Sequence, residues 1–247
     1  MRRTSDGSGA GARRDRVALV CGGSRGIGLA TATRLRESGR RVAVLSRSGG
    51  DLGDLLSVRC DLTEADDVDA AVREVEDRLG PVEVLVANAG TTEASLLART
   101  SDASFHGLVR GNLFAAFHAT LRVVPGMTER GWGRLVFLSS VAATVGVPGQ
   151  SGYAAAKAAL TGLARSLARE VAPHGVTVNV VLPGFVETEL TRRVPDRVRD
   201  GIRAQVPLGR FGRTREVAAA VDFLAGEQAG YITGALVPVD GGQGMGW

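Results

Sequence analysis

The sequence predicts one doubly wound α/β domain, with a seven-stranded parallel sheet and helices on both faces. Seven short runs rich in Val and Leu recur along the chain, from "RVALVC" to "ALVPVDGG". Most are almost continuously apolar, as expected for parallel strands that are buried on both faces. Stretches with helical spacing lie between them, and this alternation over the whole length indicates a doubly wound sheet.

The elements follow in order. Strands are predicted in "RVALVC", "RVAVLS", "LLSVRC", "VEVLVANAG", "GRLVFLSS", "VTVNVVLPG" and "ALVPVDGG". Helices are predicted in "IGLATATRLRESG", "EADDVDAAVREVEDRLG", "SDASFHGLVRGNLFAAFHATLRVVPGM" and "GYAAAKAALTGLARSLAREVAPHG", which end near Gly or Pro. The Arg-rich segment 187–215 is predicted to be a flap over the carboxyl edge of the sheet. Residues 1–15, rich in Gly, Ser and Arg, are predicted to be a disordered arm, and residues 16–247 the domain.

The composition excludes several classes of protein. The chain is 44% hydrophobic and 23% charged, which is ordinary for a soluble globular protein. Its pI is about 9.8, but the basic residues are spread along the chain and no nucleic-acid-binding motif is present. No apolar run is long enough to span a membrane. Cys21, Cys60 and the three histidines show no metal-ligand spacing, so we expect a cytoplasmic protein without a metal.

A glycine-rich turn follows the first predicted strand, in "VALVCGGSRGIGLA". Gly22, Gly26 and Gly28 allow a tight turn and a close approach of the backbone to a pyrophosphate. The helix that follows would point its N-terminal amides at that anion. A strand before the turn and a helix after it are the context of a dinucleotide-binding site, so the domain is predicted to be of the Rossmann type.

The end of the second predicted strand indicates which nicotinamide cofactor is bound. An acidic residue there would bind the ribose hydroxyls of NAD and repel a 2′-phosphate. The stretch "VAVLSRSG" instead offers Ser46 and Arg47, and Arg25 in the glycine turn is a second cation. Because the planar guanidinium binds two phosphate oxygens, the sequence predicts NADPH.

The G-x3-G-x-G spacing of the turn resembles the short-chain dehydrogenase/reductase family, whose fingerprint is T-G-x3-G-x-G. Cys21 stands where that family has a threonine that braces the turn, and a thiol is a weaker donor. In "CDLT", the resemblance implies that Asp61 binds the adenine amino group, while Thr63 is predicted to cap the next helix. The implied cofactor contacts are Gly22, Ser24, Arg25, Gly26, Ile27, Gly28, Arg47, Asp61, Leu62, Asn88, Ala89, Gly90, Tyr153, Lys157, Pro183, Gly184, Val186 and Thr188.

The stretch "YAAAK" places Tyr153 and Lys157, the only lysine of the chain, four residues apart on one helical face. The family resemblance implies that these two residues, together with Ser140 and Asn112, form the catalytic set. Ser139 adjoins Ser140, and the 13-residue spacing to Tyr153 favours Ser140.

The residue types suit the reduction of a ketone. The Tyr153 phenol would supply the proton, and the charge of Lys157 would lower the phenol pKa from its usual value near 10. Lysine can also relay a proton, which arginine essentially never releases. Ser140 would donate a hydrogen bond to the carbonyl oxygen. The resemblance implies that Asn112 holds a water that links Lys157 to solvent.

The second half of the chain, including "QVPLGRFGRTREVAAAVDFLAGEQAGYITGALVPVDGG", resembles 3-oxoacyl-[acyl-carrier-protein] reductases. This implies the reduction of a 3-oxoacyl thioester on acyl carrier protein, in fatty acid synthesis or elongation. Carrier proteins are acidic, so a basic docking surface is expected, with Arg130, Arg169, Arg192 and Arg193 as candidates near the site mouth.

Three alternatives stay open: a polyketide or secondary-metabolite ketoreductase, a dehydrogenase of a free alcohol or ketone, and a non-catalytic NADPH-sensing protein. The intact catalytic set argues against the last. The family usually forms homotetramers, and the two long helices that carry Asn112 and Tyr153 are rich in small apolar residues that would suit such an interface.

Overall fold

Seven parallel strands form one sheet in the computed structural model, which describes residues 16–192 and 194–245. The sheet order is β3-β2-β1-β4-β5-β6-β9, and this confirms the predicted seven-stranded parallel sheet. Two further strands, β7 and β8, form a separate two-stranded sheet. The strands are β1 (Val17–Cys21), β2 (Arg41–Ser46), β3 (Leu56–Arg59), β4 (Val82–Ala87), β5 (Gly133–Leu138), β6 (Val176–Pro183), β7 (Val186–Glu187), β8 (Gly212–Arg213) and β9 (Leu236–Val239).

The strand order places a topological switch point between β1 and β4. From β1 the chain builds outward to β2 and β3, then returns to place β4 on the other side of β1. In doubly wound sheets, ligands bind outside the carboxyl ends of the strands at such a point. The segments after β1, β4, β5 and β6 therefore define where a ligand would lie.

Helices cover both faces of the sheet, as predicted. One apolar core lies under α2 (Ala65–Leu79), α4 (Ala115–Arg130) and α6 (Ser151–Val171). The other lies under α1 (Gly26–Glu37) and α9 (Thr214–Leu224). The central strands are buried on both faces, which explains their almost continuous Val and Leu sequences.

The long helix predicted after β4 is interrupted. The structure has α3 (Asp102–Val109), then one π-helical turn at Arg110–Phe114, and then α4. A π turn widens the helix by one residue, and such turns often occur at functional sites. Asn112 lies in this turn, so the irregularity coincides with a predicted catalytic residue.

The segment predicted as a flap contains two short helices, α7 (Glu189–Arg192) and α8 (Asp196–Ala204). It begins and ends at the paired strands β7 and β8. The helix α9 follows, in a place where no helix is predicted, and α5 (Ala142–Val145) is a single turn after β5. The predicted arm, residues 1–15, lies outside the described residues. Among the described helices, none has the length and apolar character needed to cross a bilayer.

Candidate active site

The glycine turn between β1 and α1 requires glycine for two different reasons. Gly22 and Gly26 have φ of +74° and +58°, which side chains rarely tolerate. At Gly28 the reason is space, because a Cβ atom would lie 2.2 Å from the Gly22 carbonyl oxygen and 2.5 Å from Nδ2 of Asn88. The turn is thus packed directly against the segment after β4.

Asn88 braces the turn, a role that sequence reasoning missed. Its side-chain Nδ2 donates to the Gly22 carbonyl at 2.8 Å, and its backbone amide donates to the Cys21 carbonyl at 3.2 Å. A Cβ on Gly22 would also lie 2.7 Å from the Cα of Ala89. Cys21 points into the core, where burial raises the pKa of its thiol. The brace therefore comes from an amide on the neighbouring strand.

The two arginines that were predicted to bind a 2′-phosphate lie in the glycine turn and directly after β2. Arg25 and Arg47 are both exposed, and neither guanidinium has an ion-pair partner within residues 16–192 and 194–245. Ser24, Arg25 and Gly26 also line a groove of about 880 Å³ that continues past Thr188 and Arg192. The residue at the end of β2 is Ser46, whose neutral, buried hydroxyl brings no negative charge to this region.

The turn after β3 holds the predicted adenine residues. Oδ1 of Asp61 accepts from the backbone amide of Thr63 at 3.0 Å and from its hydroxyl at 2.8 Å. These bonds lower the pKa of the Asp61 carboxyl, with smaller help from Arg47 and Arg110. Oδ2 has no hydrogen-bond partner among the described residues and is free to accept one from an adenine amino group.

The predicted cap at Thr63 is wrong. The helix α2 begins two residues later, and its N-cap residue is Glu64, which makes no side-chain capping bond. The Thr63 hydroxyl is instead committed to Asp61. A tight turn formed by residues 61–64 takes the place that a capping interaction would otherwise fill.

The structure separates the two adjacent serines after β5. Oγ of Ser139 donates to the backbone carbonyl of Lys157 at 2.8 Å and is buried. Ser140 turns the other way, accepts from the amide of Ala142 at 3.1 Å, and forms a hydrogen bond with the Tyr153 phenol. Of the two, Ser140 shares the site with the phenol.

Lys157 is buried at the centre of the predicted catalytic set. Its ammonium donates to the Leu138 carbonyl at 2.7 Å, and burial lowers its pKa to about 8. The Nζ atom lies 5.9 Å from the centre of the Tyr153 ring. A Cβ on Gly90 would lie 3.1 Å from that nitrogen and 2.6 Å from Oδ1 of Asn112, so these groups converge on one point.

The Asn112 side chain has an oxygen without a hydrogen-bond partner among the described residues, close to Lys157 and Gly90. Its Nδ2 donates to the carbonyls of Thr91 and Leu108, each at 2.8 Å. Its Oδ1 is buried and has no hydrogen-bond partner among the described residues. Because buried polar atoms are normally paired, this oxygen fits a bound water or ligand.

The pKa of Tyr153 differs from the sequence-based expectation. Burial raises the phenol pKa, and the hydrogen bond to Ser140 opposes that rise only in part. The expected lowering by Lys157 is not found, because the ammonium is directed to the Leu138 carbonyl. The phenol therefore holds its proton at neutral pH, which is the form a proton donor needs.

The segment after β6 closes the other side of the crevice. The Pro183 carbonyl accepts from the amide of Val141 at 2.9 Å, and the amide of Gly184 donates to the Val239 carbonyl at 3.1 Å. Val186 belongs to β7, and Thr188 exchanges hydrogen bonds with Thr191 at the start of α7. These contacts fix the segment beside β5 and β9.

Gln243 lies beside Gly184 of the segment after β6, and it was not identified from the sequence as a candidate site residue. Its Oε1 is buried without a hydrogen-bond partner among the described residues, 3.0 Å from where a Cβ of Gly184 would be. No sequence motif marks it.

Two of the docking candidates are not near the site mouth of their own chain. Arg130 donates to the carbonyl of Val82, the first residue of β4, so it lies at the amino edge of the sheet. Arg169 is close to the C-terminal end of α6, whereas Tyr153 lies at its start. Sequence distance from the catalytic residues does not show which end of a helix faces the site. Arg192 lines the groove beside the glycine turn, and Arg193 lies outside the described residues.

The residues present fit a nicotinamide dinucleotide. The glycine turn after β1 forms a cradle that any Cβ at Gly28 would fill, and Asp61 offers a free carboxylate oxygen after β3, two strands along the sheet. At the other end, the polar groups of Ser140, Tyr153 and Lys157 meet beside the unpaired Asn112 oxygen. The predicted cofactor and catalytic residues thus follow one continuous edge of the sheet.

Comparisons with known proteins agree with this arrangement. A family model described as enoyl-(acyl carrier protein) reductase matches residues 22–243. The 3-oxoacyl-[acyl-carrier-protein] reductase MabA of Mycobacterium avium is 47% identical over 231 residues, which cover 94% of this chain and 91% of that protein. The 3-oxoacyl-[acyl-carrier-protein] reductase FabG of Escherichia coli (strain K12) is 42% identical over 238 residues, which cover 93% of this chain and 98% of that protein.

Proposed function

This chain belongs to the short-chain dehydrogenase/reductase family, and from that premise we propose that it reduces 3-oxoacyl thioesters on acyl carrier protein to 3-hydroxyacyl products with NADPH. The observation that carries the proposal is the meeting of Ser140, Tyr153 and Lys157 beside the unpaired oxygen of Asn112. Relatives that are named 3-oxoacyl-[acyl-carrier-protein] reductases and match over nine-tenths of the chain support this substrate class.

The side chains divide the work of reducing a ketone. The nicotinamide ring, when bound, supplies the hydride. Ser140 donates a hydrogen bond to the carbonyl oxygen, and Tyr153 gives that oxygen its proton. Lys157, whose pKa is about 8, can return a proton to the phenol near neutral pH. The free oxygen of Asn112 would hold the water through which Lys157 is recharged.

NADPH is the proposed cofactor because of Arg25 and Arg47. Both are exposed cations without an ion-pair partner in the described residues, and β2 ends at Ser46 followed by Arg47, with no acid at the strand end to repel a phosphate. Initial rates with NADPH and NADH, for the wild type and for Arg25→Gln and Arg47→Gln, test the proposal. We expect both variants to lower kcat/KM for NADPH more than for NADH. A tenfold or greater wild-type preference for NADH would refute it.

The substrate is tested by oxidation of NADPH with three substrate classes in parallel: acetoacetyl-carrier protein, longer 3-oxoacyl thioesters, and free ketones. We expect carrier-bound 3-oxoacyl thioesters to give the highest kcat/KM. A preference for free ketones or alcohols would favour a general dehydrogenase, and a preference for carrier-bound polyketide intermediates would favour a ketoreductase of secondary metabolism.

We propose Arg192 as the carrier-docking residue within one subunit. It lies exposed beside the glycine turn, whereas Arg130 lies at the amino edge of the sheet and Arg169 near the C-terminal end of α6, so in the proposed tetramer these two would meet a carrier docked at this site from a neighbouring subunit. Charge reversal at each position, assayed with carrier-bound and free thioester, separates these arrangements. An effect at Arg192 alone places the carrier on one subunit, and an effect at Arg130 or Arg169 places it across a subunit boundary. No effect at any position discards the docking surface.

We propose that the chain forms a homotetramer in the cytoplasm, with residues 16–247 as the reductase domain and residues 187–215 as a flap. The outer face of α4 and the turn before it supports the assembly, because Phe114, Phe117 and Leu121 are spaced along one face and are 44%, 40% and 51% exposed. Light scattering of wild type and Phe117→Glu tests it. We expect the variant to have a smaller mass, and a monomeric wild type would refute the tetramer.

A further inference from the structure

The adenine end of the proposed cofactor site is a short turn, residues 61–64, that is fastened from several sides. The side chain of Leu62 is buried in the core, and Oε1 of Glu64 accepts from Arg110 at 2.7 Å. The Leu62–Thr63 peptide group is held at both ends. Its N–H, from Thr63, donates to Oδ1 of Asp61 at 3.0 Å. Its C=O, from Leu62, lies 3.2 Å from Nδ1 of His118 in α4.

The His118 contact determines the state of its ring. A carbonyl oxygen can only accept, so Nδ1 must carry the hydrogen in this contact. The ring is flanked by Phe114 and Phe117, whose centres are each 6.0 Å away and tilted by 59° and 57°. The imidazole is therefore held in place by its neighbours, with its donor directed at the turn.

We infer that His118 is a positioning residue for the adenine half of the cofactor, an inference that rests on the proposed NADPH-dependent function. The His118 ring binds the C=O of the Leu62–Thr63 peptide group, and the N–H of the same group binds the Asp61 carboxylate. His118 therefore fixes the plane of the peptide group that positions this carboxylate. A peptide bond is planar, so anchoring the C=O also sets the direction of the N–H. His118 thus orients the acid that would bind the adenine amino group.

The role is separate from catalysis. His118 lies six residues beyond Asn112 and makes no described contact with Ser140, Tyr153 or Lys157. Loss of its bond should weaken the binding of the adenosine half and leave the chemical step intact. One neutral hydrogen bond corresponds to about a three- to tenfold change in affinity.

The test compares His118→Leu, which removes the donor, with His118→Asn, whose Nδ2 stands close to the position of the imidazole Nδ1. His106→Leu is the matched control, because His106 is an exposed histidine of α3 with no described contact to residues 61–64. Calorimetry measures binding of NADPH and of adenosine 2′,5′-bisphosphate, which carries only the adenosine half. We expect His118→Leu to weaken both about three- to tenfold, with kcat at saturating NADPH unchanged. His118→Asn and His106→Leu should stay within about twofold of wild type.

The inference would be overturned if His118→Leu bound adenosine 2′,5′-bisphosphate as tightly as the wild type does. It would also be overturned if His118→Leu and His118→Asn lost the same amount of affinity. A lower melting temperature of His118→Leu with intact fragment affinity would also overturn it and leave a purely structural role. The proposed function fails in a different way, namely if the wild type binds the fragment but does not oxidise NADPH with any 3-oxoacyl thioester.

Discussion

Replacing Lys157 by methionine isolates the cost of keeping a charge inside this protein. Lys157 is only 4% exposed, and within the described part of the chain its ammonium makes one hydrogen bond, to the Leu138 carbonyl. Burial lowers its pKa from the ordinary 10.5 to about 8. Methionine has a similar length and no charge, so Lys157→Met removes the cation while nearly filling its volume.

The fall in pKa converts to about 3 kcal/mol of folding free energy, at 1.36 kcal/mol for each pH unit. Below pH 8 the folded and the unfolded chain both hold the proton, so the folded wild type bears the whole cost. Between pH 8 and 10.5 the unfolded chain binds more protons, so wild-type stability rises with pH. The methionine variant lacks this rise. Its stability relative to wild type should therefore fall by about 3 kcal/mol across that window.

Urea unfolding from pH 7 to pH 10.5, at one protomer concentration, measures the difference between the two chains. All other titrating groups are common to both, so they cancel. Loss of the hydrogen bond to Leu138 changes the difference in unfolding free energy by the same amount at every pH. It therefore does not alter how that difference varies with pH. Lys157→Arg is the control, because arginine keeps its proton throughout this range. If the unfolding free energies of wild type and Lys157→Met varied with pH in the same way, the proposed cost of burying the Lys157 charge would be refuted. More than a tenth of wild-type kcat in Lys157→Arg would refute the need for proton release.

Three further predictions concern the site and its turn. Tyr153→Phe should lower kcat about 10²- to 10⁴-fold, and wild-type turnover in steady-state kinetics would contradict its role as proton donor. Ser140→Ala should lower kcat about 10²- to 10³-fold. Ser139→Ala should keep kcat within a few-fold but lower the urea-unfolding free energy by about 1–3 kcal/mol, because a buried carbonyl loses its donor; the reverse pattern would reassign the two serines. Gly28→Ala should destabilise the fold by about 1–3 kcal/mol or more, since its Cβ would lie 2.2 Å from a backbone oxygen. Gly162→Ala, in open space on α6, should stabilise by about 0.5–1 kcal/mol, and equal thermal shifts for both glycine variants would contradict the packing argument.

The sheet was predictable because parallel strands buried on both faces leave an almost uninterrupted apolar signature. The helix α9 was not predicted, although Val217, Val221 and Leu224 have helical spacing, because it follows the Arg-rich segment without a clear boundary. The π turn at Asn112 has no sequence signal, since one extra residue in a helix leaves the local composition unchanged. The absent cap at Thr63 depends on a competing bond to Asp61, which composition does not reveal.

The order and spacing of motifs in the sequence predicted which residues belong to the candidate site. They did not predict which of these residues contact one another. Spacing favoured Ser140 over Ser139, and the structure gives the physical difference, namely that one hydroxyl contacts the phenol and the other a backbone carbonyl. The brace at Asn88 joins two strands that are 66 residues apart in sequence, so only the fold reveals it. The prediction that Arg130 and Arg169 lie near the site mouth was wrong for a related reason. The direction in which a helix runs away from the site depends on the tertiary fold, which the sequence does not show.

Comparison of two equally buried cations shows why the chain keeps a single lysine. Arg134 and Lys157 are each 4% exposed. Arg134 is satisfied on several sides, with hydrogen bonds to the carbonyls of Gly133 and Gly175 and a guanidinium 4.3 Å from the centre of the Trp132 ring.

A carboxylate, Glu227, also lies 3.8 Å from Arg134. Lys157 has one carbonyl partner and no acidic partner among the described residues. Where a buried charge serves only structure, this chain surrounds an arginine with partners. Where the charge is left without a counter-ion, its pKa falls to about 8 and its proton can leave near neutral pH, which only lysine of the two residues permits.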